Sequence, residues 1–269
     1  NIDQEAATRK GVVIMNIPGG NSISVAEHAF ALMLSLARKI PFADTSLRSG
    51  NWNKSSLVGQ ELQNKTLGIL GLGKIGALLA QRAQSFHMKV VAFDPFVSED
   101  HATSLGVQLT KLDDLFSQSD FVSLHLPLNE KTKGLINTST LALMKKKAFL
   151  INTSRGELVV EADLGNALES GHLSGAALDV FEEEPEIHAS LLSSSKTIVT
   201  PHIAGSTVEA QSKVGYEIAV QISNYLNDDV ILNAINFPSM TPKEVEDLQH
   251  YVRLGEKLGS FIGQICQIR

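Results

Sequence analysis

The chain is poor in cysteine, in basic clusters and in long apolar runs, and each shortage closes off a class of protein. Cys266 is the single cysteine in 269 residues. It cannot form an internal disulfide, which excludes a disulfide-stapled secreted scaffold and suits a reducing, cytoplasmic setting. Lys and Arg number 23 against 29 Asp and Glu, a net charge of −6, and the pI is 5.8. An acidic chain without a basic run lacks the field that holds nucleic acid or an anionic membrane, so neither is expected as a partner. No apolar run reaches the ~18 residues of a membrane span. The longest candidate, residues 25–40, is interrupted by Glu27, His28, Arg38 and Lys39. No signal peptide, internal repeat or low-complexity segment is visible, and no metal site is expected. The first residue is Asn1 and not methionine, as in a fragment. What is there is the composition of a soluble globular protein, 43% hydrophobic and 19% charged, long enough for one large domain or two ordinary ones.

The chain is organised around Thr66-Leu67-Gly68-Ile69-Leu70-Gly71-Leu72-Gly73-Lys74-Ile75-Gly76. An apolar strand over 67–71 runs into G-x-G-x-x-G and then into a helical run, residues 77–83. That order suits a dinucleotide. Gly71 permits the tight turn, Gly73 lets the backbone approach a pyrophosphate, and Gly76 lets helix and strand pack closely. The amides around Lys74 and Ile75 then point at the negative charge. Glycines in this spacing also occur in plain turns. Here, however, a second strand, Lys89-Val90-Val91-Ala92-Phe93, ends in Asp94, 18 residues past Gly76. That is where the fold places a carboxylate for the ribose 2′-hydroxyl. Pro95 and Phe96 follow it, with no arginine to accept a 2′-phosphate, so NAD is expected over NADP.

Along the rest of the chain, residues 12–16 read as a short buried strand broken by Pro18-Gly19-Gly20-Asn21. Ser24-Val25-Ala26-Glu27 reads as a capping box opening a helix through Ala37. Pro41 punctuates that helix, and a second amphipathic piece runs to about Gly50. After Asp94, strands are expected over 107–109, 120–126, 147–153, 175–180 and 196–200, with helices over 98–105, 112–117 and 162–170. Apolar strands alternating with helices mean a parallel sheet covered on both faces. The expected fold is therefore α/β, a doubly wound parallel sheet of the Rossmann type over 19–205. A long helix follows over 208–227, then a turn at Asn227-Asp228-Asp229. Thr241-Pro242-Lys243-Glu244 reads as a second capping box before an amphipathic helix with Val245, Leu248, Val252, Leu258, Phe261, Ile262 and Ile265 on its apolar stripe. A packing partner for that stripe is expected to be missing from the chain.

Ligands of such sheets bind beyond the carboxyl ends of the strands. Three expected strands deliver polar groups there: Ser154-Arg155-Gly156, then Phe181-Glu182-Glu183-Glu184-Pro185, then Pro201-His202. Singly, each reads as a surface arginine, a solvated acidic turn or a capping histidine. Around one nucleotide site they read as an active centre.

The stretches NIDQEAATRKGVVIMNIPGGNSISVAEHAFALMLSLAR, LGILGLGKIG, INTSRGELV, GAALDVFEEEP and PHIAGSTVEAQ, in that order, resemble the NAD-dependent D-2-hydroxyacid dehydrogenases. The likeness runs from Asn1 to at least Asn236. It implies oxidation of a small-molecule 2-hydroxy acid, with Arg155, Glu184 and His202 as the catalytic set. It implies NAD contacts from Gly71, Gly73, Lys74, Ile75, Gly76, Asp94, Leu126, Pro127, Thr153, Ser154, Arg155, Asp179, His202, Ala204 and Gly205, with Asp179 beside the nicotinamide carboxamide. Residues 233–265 are similar to the start of an extra domain in the long family members that act on phosphoglycerate. The substrate implied is thus D-3-phosphoglycerate, with glyoxylate, hydroxypyruvate or D-lactate as alternatives, and an NAD-sensing corepressor as the alternative of another class. The resemblance divides the chain into the end of a substrate-binding lobe (1–18), the NAD-binding domain (19–205), a helix returning to the lobe (206–229) and the linker and start of a C-terminal domain (230–269). With the apolar helix over 25–37, it also implies a homodimer or homotetramer.

Overall fold

The computed structural model describes residues 2–228, 230–237 and 242–266. Asn21–Thr207 forms one compact unit; the segments up to Gly20 and from Val208 form a second. In the first unit, helices α2 (Ser22–Arg38) and α3 (Ile40–Arg48) follow a short α1 (Gln4–Arg9), which belongs to the second unit. The sheet then starts. Its order along the chain is β1 (Thr66–Leu70), α4 (Lys74–Ser85), β2 (Lys89–Phe93), α5 (Glu99–Ser104), β3 (Gln108–Leu109), α6 (Leu112–Gln118), β4 (Phe121–Leu124), α7 (Thr138–Leu143), β5 (Phe149–Asn152), α8 (Glu161–Glu169), β6 (Gly175–Leu178), α9 (Ala189–Ser193) and β7 (Thr197–Val199). In space the strands lie β3-β2-β1-β4-β5-β6-β7, every pair parallel. The direction of winding reverses between β1 and β4, the switch point at which such sheets open a crevice.

Alternation along the strands explains the two layers. Leu67, Ile69, Val90, Ala92, Phe121 and Ile151 face one core with Phe30, Met33 and Leu36 of α2 and Leu79 and Ala83 of α4. Leu70, Val91, Val122, Leu124, Leu150 and Leu178 face the other, with Phe116 of α6, Leu141 of α7 and Leu164 of α8. Strands buried on both faces carry no polar alternation. Each fully buried Leu or Ile contributes roughly 1.5–3 kcal/mol of burial, so the sheet is the rigid platform from which the loops project.

Two local expectations are corrected. Helix α2 starts at Ser22, and its N-cap Asn21 makes no side-chain cap bond. Ser24 lies inside the first turn, where its hydroxyl meets that of Thr207 at 2.8 Å, while Glu27 pairs with Arg82 at 2.8 Å. Neither is left to build a capping box. Residues 12–16 form no strand; a single bridge joins Met15 to Ala234, Ile14 alone is buried and Val12 is 55% exposed. One apolar side chain is too little burial to hold a ladder.

Five short elements were not legible: α1, α7, α9 and two 3-10 turns, at Ser55–Leu57 and Gly156–Leu158. Asn137 caps α7 through its own side chain and Thr140, a polar box without an apolar stripe behind it. In the second unit, α10 (Val208–Asp228) and α11 (Pro242–Cys266) are long helices. Asn227 and Asp228, expected in a turn, continue α10, where the Asn227 side chain bonds back to Ser223 O at 2.9 Å; Asp229 and Thr241 lie outside the described residues, and with them the end of that turn and the second capping box. Of the stripe on α11, Leu248, Leu258, Phe261, Ile262 and Ile265 are exposed; the side chains of Val245 and Val252 are outside the description. No helix among the described residues is long and apolar enough to cross a membrane.

Candidate active site

Six strand ends of the first unit, those of β1, β2, β4, β5, β6 and β7, carry the candidate residues. At the end of β1, Gly71 has φ +95°, and its amide donates to Phe93 O at 3.0 Å. A Cβ there would stand 2.6 Å from His125 O, and one at Gly76 would stand 2.2 Å from Gly71 O. Gly73 is the N-cap of α4 with no side chain to cap it, and a Cβ there would meet nothing within 4 Å. The helix thus presents its first amides beside exposed Lys74 and half-exposed Ile75, past a backbone open to close approach. That is an anion site of the kind a pyrophosphate occupies. Asp94 at the end of β2 accepts from Leu72 N and from Phe96 N, both at 2.9 Å. The carboxylate therefore braces the glycine-rich turn beside it.

Beyond β4 and β5, Ser154 donates its hydroxyl to Leu126 O at 2.6 Å, and Pro127 O accepts from Thr132 at 2.7 Å. Fully buried Asn152 ties the next turn, accepting from Ser154 N at 3.0 Å and donating to Arg155 O at 2.8 Å. Thr153 Oγ1 is buried without a partner among the described residues. An orphaned hydroxyl at a strand end beside the switch point is what a bound polar ligand would satisfy. The open backbone at Gly73, the helix start that follows it, Asp94 and Thr153 together fit a dinucleotide.

Beyond the ends of β6 and β7, His202 Nδ1 and Glu184 Oε2 are 2.8 Å apart, with Glu184 Oε1 accepting from Phe181 N at 3.2 Å. His202 has φ +52°, a left-handed conformation that a non-glycine residue adopts only when its surroundings enforce it. Asp179 supplies the enforcement. Its carbonyl accepts from His202 N at 2.8 Å, and its carboxylate accepts from Ile203 N at 2.9 Å and Ala204 N at 2.8 Å.

Asp179 is wholly buried. Burial alone would raise its carboxyl. Hydrogen bonds from His28, Thr200 and the two amides outweigh this and hold it below the ordinary value of 3.8. Thr200 Oγ1 donates at 2.5 Å, and His28 Nε2 lies 3.4 Å from the same oxygen. Expected beside a cofactor, Asp179 thus has its carboxylate engaged by the protein in this structure, as the anchor of the turn 202–204. Gly205 follows, with Asn21 2.6 Å from where its Cβ would be.

The structure therefore joins Glu184 to His202 directly and Asp179 to the same turn. Arg155 is brought near in a different way. A Cβ on the next residue, Gly156, would overlap the Phe181 carbonyl at 1.9 Å, so the two loops touch backbone to backbone. The Arg155 guanidinium itself is exposed and donates to Ser154 O at 2.6 Å. Three residues escaped the sequence reading. His28 supports Asp179, Glu161 supports the acidic loop, and His125 at the end of β4 has Nε2 2.9 Å from Ser123 Oγ and a buried Nδ1 without a partner among the described residues. Burial pushes the His125 imidazole down to about 4. A histidine directly before Leu126-Pro127 at a strand end was the available signal for it. No group of three or more metal-ligating side chains gathers among the described residues.

Sheet order, glycine turn and acidic strand end define a dinucleotide-binding Rossmann-type domain. The family profile described as "D-isomer specific 2-hydroxyacid dehydrogenase, NAD binding domain" matches residues 30–204. The chain belongs to this family and carries its NAD-binding domain. It is 45% identical over 266 residues to D-3-phosphoglycerate dehydrogenase of Synechocystis sp., covering 99% of this chain and 48% of that one. It is 44% identical over 264 residues to the enzyme of the same name from Bacillus subtilis, covering 98% and 50%. Among solved structures, D-lactate dehydrogenase from Aquifex aeolicus, complexed with NAD and lactic acid, superposes with a TM-score of 0.79 at 32% identity, covering 88% of this chain and 77% of that one. The chain spans about half the length of the curated relatives it matches.

Proposed function

We propose that the chain is the cofactor-binding part of an NAD-dependent dehydrogenase that oxidises D-3-phosphoglycerate to 3-phosphohydroxypyruvate. The observation that carries the catalytic reading is the 2.8 Å contact between His202 Nδ1 and Glu184 Oε2. A carboxylate at Nδ1 fixes the tautomer with its proton there, leaving the Nε2 lone pair to take the proton of the substrate's C2 hydroxyl. As that proton arrives, Glu184 stabilises the imidazolium. NAD, when bound, supplies the acceptor for the hydride that leaves C2. Arg155, exposed at the end of β5, holds the substrate carboxylate by charge-assisted bonds. Gly71, Gly73, Lys74, Ile75, Gly76 and Asp94 take the pyrophosphate and ribose side of the cofactor. Leu126, Pro127, Thr153, Ser154, Arg155 and the His202, Ala204 and Gly205 turn take the nicotinamide side, with Asp179 behind it.

The names of the relatives favour phosphoglycerate. Residues 1–18 and 206–229 are assigned to the substrate-binding lobe, 230–269 to the start of a further domain, and the cytoplasm is the proposed location. The test is NADH formation with D-3-phosphoglycerate, D-lactate and D-glycerate in parallel, after NAD binding has been measured by calorimetry. Faster turnover of an unphosphorylated acid would reverse the substrate assignment. His202→Ala should lower kcat by ~10²–10⁴-fold, far more than it weakens NAD binding; an active variant would remove His202 from the mechanism.

A further inference from the structure

Glu161 is the first residue of α8, and it is 6% exposed. It makes no ion pair among the described residues. A buried carboxylate needs donors, and Glu161 takes two from one loop: Glu182 N at 2.8 Å on Oε1 and His188 N at 3.1 Å on Oε2. The loop between those amides carries Glu184. Its position at a helix start also suits negative charge.

The pair that Glu184 makes cannot hold the loop by itself. The side chains of His202 and Glu184 are 55% and 37% exposed, and solvent screens such a pair to little net attraction. Other anchors are Phe181, buried against Gly156, Ile187, packed partly buried on the core, and the His188 side chain, which caps α9 through Ser190. They fix the flanks of the loop but make no bond to its amides. An apolar residue in place of Glu161 could fill the same space. Only an acceptor with two oxygens joins both ends of the loop to α8.

We propose that Glu161 is a positioning residue, clamping residues 182–188 at both ends so that Glu184 stays against His202. The inference takes its meaning from the catalytic reading of Glu184, but its test needs no turnover. Amide hydrogen exchange is followed by NMR on the whole chain and on Glu161→Ala, Glu161→Gln, Glu184→Ala and the Glu161→Ala/Glu184→Ala double variant. In Glu161→Ala the amides of Glu182 and His188 should exchange on the order of tenfold faster, as expected for loss of a bond to a charged acceptor. The telling amide is Phe181. Glu161 does not touch it, but Glu184 does. It should speed up in Glu161→Ala about as much as in Glu184→Ala, and no further in the double variant, the signature of one coupled unit. The amide of Ile151, in the fully buried β5, should not change. Glu161→Gln, which keeps one acceptor, should restore one of the two end amides and part of the Phe181 protection.

Unchanged Phe181 exchange in Glu161→Ala would overturn the proposal, because the clamp would then hold the loop ends without placing Glu184. So would equal acceleration at Ile151, which would make Glu161 a support of the whole fold. Should Glu161→Ala fail to fold, Glu161→Gln decides alone: wild-type protection at all three loop amides would refute the clamp. A chain that fails to oxidise a 2-hydroxy acid can still pass this test, and an active enzyme can fail it.

Discussion

Alanine at Gly73 and alanine at Gly76 should have opposite consequences, although the two lie in one motif. At Gly76 the added methyl would stand 2.2 Å from Gly71 O and 3.1 Å from Ile69 Cγ2. The carbonyl cannot swing aside. Gly71 sits at φ +95°, its amide is bonded to Phe93 O, and His125 O lies against its other side. Helix α4 must therefore lift from β1. Overpacking of this kind costs about 1–3 kcal/mol or more, and the helical preference of alanine returns up to about 1 kcal/mol. A net loss near 2 kcal/mol lowers Tm by roughly 4–8 °C in a unit of this size.

At Gly73 the methyl meets nothing within 4 Å, and φ −74° with ψ −163° is extended backbone that alanine adopts freely. The stability change should stay within about 1 kcal/mol, the range of N-cap replacements. The same methyl, however, stands where a pyrophosphate must approach the backbone, so the Kd for NAD should rise tenfold or more, about 1.4 kcal/mol. Thermal unfolding and calorimetric NAD titration of the two variants separate these effects. If Gly73→Ala binds NAD like the wild type, the pyrophosphate does not pass that backbone. If Gly76→Ala melts with the wild type, the close packing of α4 on the turn is not what fixes it.

Asp94 should favour NAD strongly over NADP in a parallel titration, and Asp94→Ala should narrow the gap by weakening NAD, with part of the loss coming from the freed Leu72 amide; tighter binding of NADP by the wild type would contradict the assignment. Because burial lowers the His125 imidazole from 6.5 to about 4, the unfolded chain takes up a proton that the folded one refuses. Stability should then fall as pH drops from 6.5 towards 4, by up to ~3 kcal/mol, and His125→Asn should flatten that part of a urea-unfolding series. The Asp179 carboxyl is held below 3.8, so its contribution is present above that pH and is lost below it. The penalty of Asp179→Asn should accordingly be greatest near neutrality and shrink under about pH 4. Sedimentation at micromolar concentration should show a species heavier than the 29.0 kDa chain, as a symmetric dimer through the cofactor domain requires; a lone monomer would contradict it.

The elements that could be read in advance are those whose pattern is local. Lys89-Val90-Val91-Ala92-Phe93 is apolar, bounded by turns, and is β2 residue for residue. Ser98 and Gly171 mark a helix start and a helix stop with their own chemistry. Ser24 misled because the capping pattern S-x-x-E is satisfied in sequence while both side chains take distant partners, Thr207 and Arg82. Glu161 and His28 were invisible for the same reason. A glutamate at a helix start and a histidine on an apolar helix look alike whether they face water or a loop far along the chain. The grouping of the acidic turn with His202 followed from their places at strand ends, the choice of Glu184 among its neighbours came from family likeness, and the 2.8 Å geometry needed the fold.

Gly71 takes its shape from three strands at once: its own, β2 through Phe93 and Asp94, and β4 through His125, whose amide also bonds Leu70 O at 2.8 Å. The last of these is some fifty residues downstream of the motif. During synthesis, then, the ribosome releases the whole glycine fingerprint well before one wall of it exists. A fragment cut before β4 would contain every residue of G-x-G-x-x-G, the strand before it, the helix after it and Asp94, yet leave the turn open on one side. The motif is a label for the pocket and not a module that could be transplanted to carry it. The smallest inheritable unit of cofactor capture in this chain runs at least from Thr66 to Leu126.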